Sequence, residues 1–145
     1  MNDNGVGRHF FEDLSVGMEA SYIRRVEERD LQAFAALTGD TNPIHLDEEF
    51  AFASPFKGRV AHGALTASYV ATVLGTQLPG PGAVYISQSL NFRAPVRIGD
   101  EVRATARVIE LLPAKKRAIF TCHCSVDGKT VLEGEALLMV PSREV

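Results

Sequence analysis

Asp40 and His45 are the residues of this 145-residue chain whose types and spacing point most directly to chemistry. They stand five positions apart in Gly39-Asp40-Thr41-Asn42-Pro43-Ile44-His45, across a turn stiffened by Pro43. A carboxylate and a neutral imidazole aimed at one point can hold a water molecule, take a proton from it and return a proton to carbon. A positioned acid or base of this kind contributes ~10² to 10⁴-fold in rate. Asn42 could brace the loop by bonding to backbone or to Asp40. Taken alone, the same segment also reads as an Asx turn at Asp40 beside a packed loop histidine.

A second feature is Ala61-His62-Gly63-Ala64, where a histidine and a glycine open a long apolar segment. The first N–H groups of a helix have no intrahelical partner, and a glycine lets a ligand come close to them. A carbonyl oxygen gaining negative charge at Gly63 would meet both an N–H and the helix dipole, and one such donor is worth ~10² to 10³ in rate. The alternative is that Gly63 only permits tight packing and His62 satisfies buried backbone groups. Ser68, inside the same segment, either lines a pocket or bonds back to a carbonyl one turn earlier.

Other chemistries find little support. There is no Gly-x-Ser-x-Gly elbow, phosphate-binding loop, dinucleotide fingerprint or His-Glu-x-x-His. Cys122-His123-Cys124 invites a metal reading. On a strand, however, His123 would face away from the two thiols, and no second cluster completes a tetrahedral site. The cysteines are expected as buried free thiols, with no metal bound.

The elements that must position these residues follow from periodicity. An irregular lead-in precedes a first strand near Glu19 to Glu27. Asp30 to Leu37 forms a short helix with Leu31, Phe34, Ala35 and Leu37 on roughly one face. Pro43 ends helical continuation, so 39–45 is expected to be a rigid, non-regular loop. Asp47 to Ala53 can form another short helix. From Val60 to Phe92 there is no Asp, Glu, Lys or Arg, and Ala64 to Leu78 is apolar or small nearly all round, which predicts a helix buried on every side. That run is too short for a membrane span, carries Thr66, Ser68, Thr72, Thr76 and Gln77, and ends in Pro79-Gly80-Pro81-Gly82. Strands then follow at Val84 to Phe92, Glu101 to Leu111, Ala118 to Val126 and Thr130 to Val140. About five strands and one enclosed helix make an α+β domain, most simply a curved antiparallel sheet wrapped around the helix.

Length and composition agree with one domain over 1–145, its first ten residues flexible. Hydrophobic residues at 46% and charged residues at 23% are those of a soluble globular protein. A net charge of -3 supplies no global positive field, which argues against nucleic acid as a partner. Met1 to Phe10 lacks the apolar core of a secretory signal, so the expected compartment is the cytoplasm.

Leu37-Thr38-Gly39-Asp40-Thr41-Asn42-Pro43-Ile44-His45 closely resembles the hydratase-2 motif of MaoC-like (R)-specific enoyl-CoA hydratases. Val60-Ala61-His62-Gly63, the Pro/Gly turn after the long helix and Phe92-Arg93-Ala94-Pro95-Val96-Arg97-Ile98-Gly99-Asp100 are similar to that family in the same order, and the resemblance spans about residues 10–141. It implies a hot-dog fold and a cofactor-free lyase of fatty-acid metabolism. Asp40 and His45 would activate water for addition across a trans-2-enoyl thioester, giving an (R)-3-hydroxyacyl product, with the Gly63 amide as oxyanion donor. Asn42, His62 and Ser68 would support the site or line it. It further implies an acyl-CoA substrate and a homodimer or higher oligomer with sites at the subunit interface. A dehydratase for a branched, carboxylated or carrier-protein-bound 3-hydroxyacyl thioester, a thioesterase and a non-catalytic acyl-CoA-binding module remain as alternatives. Lys57, Arg59, Arg93 and Arg97 could meet CoA phosphates or be ordinary surface charges.

Overall fold

The computed structural model describes residues 7–144. In chain order these form β1 (Glu19–Arg25), α1 (Glu28–Thr38), α2 (Pro43–Leu46), α3 (Glu48–Phe52), α4 (Gly63–Thr76), β2 (Val84–Gln88), β3 (Asn91–Phe92), β4 (Glu101–Leu112), β5 (Arg117–Val126) and β6 (Lys129–Met139). The strands make one antiparallel sheet in the order β1-β4-β5-β6-β2, with β3 also paired to β6. Helix α4 lies against this sheet, and Val70, Val73 and Leu74 pack with Val102, Ala104, Phe120 and Leu132 in one core. The curved sheet around a central helix is the arrangement expected from periodicity.

The sheet has six strands rather than five because the expected strand at Val84 to Phe92 is broken. A register shift falls between Tyr85 and Ser87, and β2 and β3 are separate pieces joined by Ser89 and Leu90. Gly134 on β6 explains the break: a Cβ there would collide with the Ser89 carbonyl oxygen and crowd the Leu90 backbone. The missing side chain lets the linking segment press directly onto β6, where Ser89 N–H donates to the Glu135 carbonyl at 2.8 Å.

Three further expectations change. Residues 39–45 are not wholly irregular, since Pro43 opens the helical turn α2 that carries His45. Proline at a first helical position costs no hydrogen bond and presets φ, and the Asn42 side chain caps the turn by accepting from Ile44 N–H at 3.1 Å. Leu37 is 84% exposed, because it sits roughly 200° around α1 from buried Ala35 at about 100° per residue. Helix α4 is not enclosed on every side. Leu65, Thr66, Tyr69, Val70, Val73 and Leu74 are buried, while Ala64 and Gly75 are exposed and Ala67, Ser68, Ala71 and Thr72 are half-buried.

Of the ten residues expected to be flexible, 1–6 lie outside the described residues. Gly7 N–H donates to Thr76 O and His9 N–H to Pro79 O, each at 2.8 Å, so this part of the lead-in covers the end of α4. Cys122 and Cys124 are buried free thiols on one face of β5, burial pushing both up to about 12, and His123 alternates to the other face. No helix among the described residues is long and apolar enough to cross a membrane.

Gly134→Ala should destabilise the fold by roughly 1–3 kcal/mol, as over-packing against a backbone does. Urea denaturation at fixed protein concentration measures this, and an unchanged midpoint would remove the steric explanation of the β2/β3 break.

Candidate active site

The site is assembled from three chain ends that meet beside the start of α4. The first is the exit of α1. Gly39 takes φ 83°, a left-handed turn that suits glycine, while its N–H closes the helix on Ala35 O. Asp40 follows at once, its N–H donating to Thr38 Oγ1 at 3.1 Å. Its carboxylate accepts from Asn42 N–H at 3.3 Å and stays exposed. Local turn bonding therefore does occur here, and it aims the carboxylate rather than consuming it.

The second is α2. His45 is buried, with Nδ1 2.7 Å from the Val60 carbonyl oxygen. A carbonyl can only accept, so Nδ1 carries the hydrogen and Nε2 keeps its lone pair. Backbone bonds hold the same junction: Val60 N–H donates to Ile44 O at 3.2 Å, and Ala61 N–H to Val96 O at 2.7 Å.

The third is the start of α4. His62 is its N-cap, and Gly63, its first residue, has an N–H with no intrahelical acceptor. A Cβ on Gly63 would lie 2.7 Å from the Phe92 ring, so a larger residue would need that exposed ring to move aside. Gly63 and His45 line one largely apolar cavity of about 400 Å³, closed by Ile44, Phe92, Val96 and Leu132. Ser68 is not part of it. Its hydroxyl donates to Leu65 O at 2.5 Å, and it borders shallow depressions on the open face of α4 near Tyr85 and Tyr69.

His62 links the other two segments. Its ring stacks on His45 with centroids 3.9 Å apart and planes 27° apart, and Phe34 covers it at 4.8 Å. Its Nε2 donates to the Asp40 carbonyl at 3.1 Å, which leaves Nδ1 as a buried acceptor without a partner. Burial pushes its pKa below the ordinary 6.5, against the opposing pull of the Asp40 hydrogen bond, so the stacked ring stays neutral at pH 7.

Asp40, His45 and His62 each offer a ligand atom within 4.8 Å of the others, and one carboxylate with two imidazoles is a donor set that suits zinc. The ring geometry opposes it. Nearly parallel planes send the in-plane lone pairs side by side rather than toward one ion. What the group can do is hold water between a free carboxylate and a free imidazole nitrogen, next to an unpaired helix N–H.

The role of Arg59 escaped the sequence reading, which left it with Lys57, Arg93 and Arg97 as either a contact for CoA phosphates or ordinary surface charge. Its side chain is only 11% exposed, and Nε donates to the His45 carbonyl at 2.7 Å. Its place three residues before His62, in a stretch that turns wholly uncharged right after it, was the available signal. Arg97 is occupied with the Phe56 carbonyl at 2.6 Å, and Arg93 borders the cavity while pairing with Glu133.

The depressed pKa of His62 has a stability consequence. As pH falls below about 6.5 the unfolded ring takes a proton that the folded ring resists, so the unfolded state binds more protons and stability drops toward acid. Melting curves between pH 7 and 5 should fall less steeply for His62→Gln than for the wild type. Equal slopes would show that His62 is not the group responsible.

Comparison with known proteins came to the same place. Residues 13–133 match the MaoC like domain. The chain is 55% identical over 135 residues to a 3-hydroxybutyryl-CoA dehydratase of Methylorubrum extorquens, covering 93% of this chain and 86% of that protein. It is 53% identical to an (R)-specific enoyl-CoA hydratase of Rhodospirillum rubrum, covering 93% and 94%. Among solved structures it superposes on the unliganded R-hydratase PhaJ1 of Pseudomonas aeruginosa with a TM-score of 0.89 at 41% identity, over 95% of this chain and 89% of that one. With its motif, sheet and helix all in family order, the chain belongs to the MaoC-like dehydratase family.

Proposed function

We infer that the protein is a hydro-lyase that reversibly adds water to a trans-2-enoyl-CoA, forming the (R)-3-hydroxyacyl-CoA. The observation that carries this is the approach of the Asp40 carboxylate and His45 to within 4.8 Å of each other, beside the cavity that begins at Gly63. A single domain supplies all of these groups.

The chemistry follows from what each group can accept or donate. A water held by the carboxylate and by His45 Nε2 gives one proton to the pair as its oxygen bonds to C3. The C2=C3 electron pair moves toward the thioester, whose oxygen gains charge where the Gly63 N–H and the positive end of α4 face it. The proton then passes from the pair to C2. One water is consumed and no electron acceptor is needed, and the reverse sequence is dehydration. Asn42 keeps the turn closed, and His62 links the two by stacking on His45 and donating to the Asp40 carbonyl.

A homodimer fits the surfaces left open. β2 is an edge strand with Val84, Tyr85 and Ile86 each at least 40% exposed, and it borders the uncovered small-residue face of α4. A second copy covering both would bury the apolar edge by a two-fold contact. Ser68 would then meet substrate only where the partner subunit closes that face. We place the protein in the cytoplasm.

A second reading keeps the site and changes the preferred direction and substrate. The Methylorubrum relative is named for dehydrating a four-carbon 3-hydroxyacyl-CoA. Apolar walls at Val96 and Leu132 accept a short unbranched chain equally well.

Purified protein should abolish the enoyl absorbance of crotonyl-CoA. Asp40→Asn and His45→Gln should each lower kcat by ~10² to 10⁴-fold, the range of a positioned acid or base. Full activity in both variants would sink the assignment, and product oxidised by an (S)-specific dehydrogenase would sink the stereochemistry. Sedimentation should give twice the chain mass, and Ile86→Arg should yield inactive monomer; an active Ile86→Arg monomer would remove the dimer requirement.

A further inference from the structure

Arg59 and Glu28 take no part in the water chemistry, yet they close a ring of contacts around it. Glu28 is the first residue of α1. The helix runs 11 residues, about 16 Å at its usual rise, and its far end delivers Asp40. Five residues on, the backbone carbonyl of His45 accepts from Arg59 Nε at 2.7 Å. The other edge of that guanidinium grips Glu28, NH1 to Oε1 at 2.5 Å and NH2 to Oε2 at 2.7 Å. We propose that Arg59 and Glu28 are a positioning pair: they tie the start of α1 to His45 so that the helix acts as a strut setting where Asp40 stands relative to the imidazole.

The details separate this from an ordinary surface ion pair, which contributes little to stability. The Arg59 side chain is 11% exposed, and its three bonds join two elements whose other links are the 39–42 turn and the packing of Phe34 through His62 onto His45. A two-pronged grip on a carboxylate plus a third bond to a carbonyl is a geometry that lysine cannot reproduce. The guanidinium, helped by Gln32, holds the Glu28 carboxyl down at about 2, so the pair stays charged across the working range. The Val60 backbone fixes His45 from the side of α4, and Arg59 ties its backbone by hydrogen bonds to the start of α1.

This rests on the hydratase reading for its kinetic readout, and a second readout is independent of substrate. In the full chain, Arg59→Met should lower kcat on crotonyl-CoA by about tenfold or more with KM within about twofold, the pattern of a displaced catalytic group. Glu28→Gln, at a more exposed position, should lower it by about threefold, and Arg59→Lys should fall between the two. Without substrate, the His45 Nδ1–H seen by nitrogen-15 NMR should exchange with solvent about tenfold faster in Arg59→Met, because its hydrogen bond to Val60 opens more often. Unchanged kcat and unchanged exchange in folded variants would overturn the proposal. So would a loss of activity that only tracks the folded fraction. Should Arg59→Met not fold, Glu28→Gln decides by the same two measurements. A wild type inactive on every enoyl-CoA would defeat the hydratase reading, and the exchange rates would then decide the positioning pair by themselves.

Discussion

The hydrogen bond from His45 Nδ1 to the Val60 carbonyl is the interaction on which the site depends. A buried imidazole has two nitrogens to satisfy, and giving one of them a fixed acceptor decides which face of the ring is basic. Here the acceptor belongs to the short extended stretch that leads into α4. The same stretch takes the Ile44 carbonyl through Val60 N–H and reaches the Val96 carbonyl through Ala61 N–H. The tautomer of the His45 ring, the seating of its helical turn and the starting point of the central helix are thus one junction. Moving any of them moves the Gly63 N–H relative to the imidazole.

That junction explains why the buried histidine and the exposed aspartate can work as a pair. Asp40 is held mainly by bonds within five residues of itself, namely Thr38 Oγ1, its own carboxylate on Asn42 N–H and the Asn42 cap on Ile44, with one long-range bond from His62 Nε2 to its carbonyl. Such a turn needs little core and leaves the carboxylate exposed. His45 instead takes its position from long-range contacts at Val60, 15 residues away, and from the His62 ring. Asp40 thus faces solvent, while the apolar cavity beside His45 lies on the side of Phe92 and Leu132.

Much of this was legible in the sequence, for identifiable reasons. The uncharged run from Val60 to Phe92 pointed to an interior helix, and Ala64 to Leu78 gave one whose observed span, Gly63–Thr76, differs by one or two residues at its ends, although Val84, Tyr85, Ile86 and Phe92 in the same run are exposed. The alternation through Ala118 to Val126 placed Cys122 and Cys124 together in the core. Illegible features were those set by partners far along the chain. Nothing local in Val84 to Phe92 announces that it breaks over Gly134, because the cause lies on another strand. Pro43 signalled a stop for α1 but also served as a start for α2, and the pattern of one residue cannot decide between them. Arg59 looked like any surface arginine because its burial depends on Glu28, 31 positions earlier.

The uncovered face of α4 follows from the same economy. A six-stranded sheet can wrap only part of a helix, so the outward positions 64, 67, 68, 71 and 75 are small residues. Large apolar side chains there would expose more hydrocarbon to water, at about 25 cal/mol per Å². Small ones limit that exposure and leave room for another surface to come close. Ser68 and Thr72 turn their hydroxyls onto carbonyls of their own helix, which removes their polarity from the face without adding bulk. The helix therefore has two unlike faces: its large residues pack on its own sheet, and its small residues leave a flat, partly open surface.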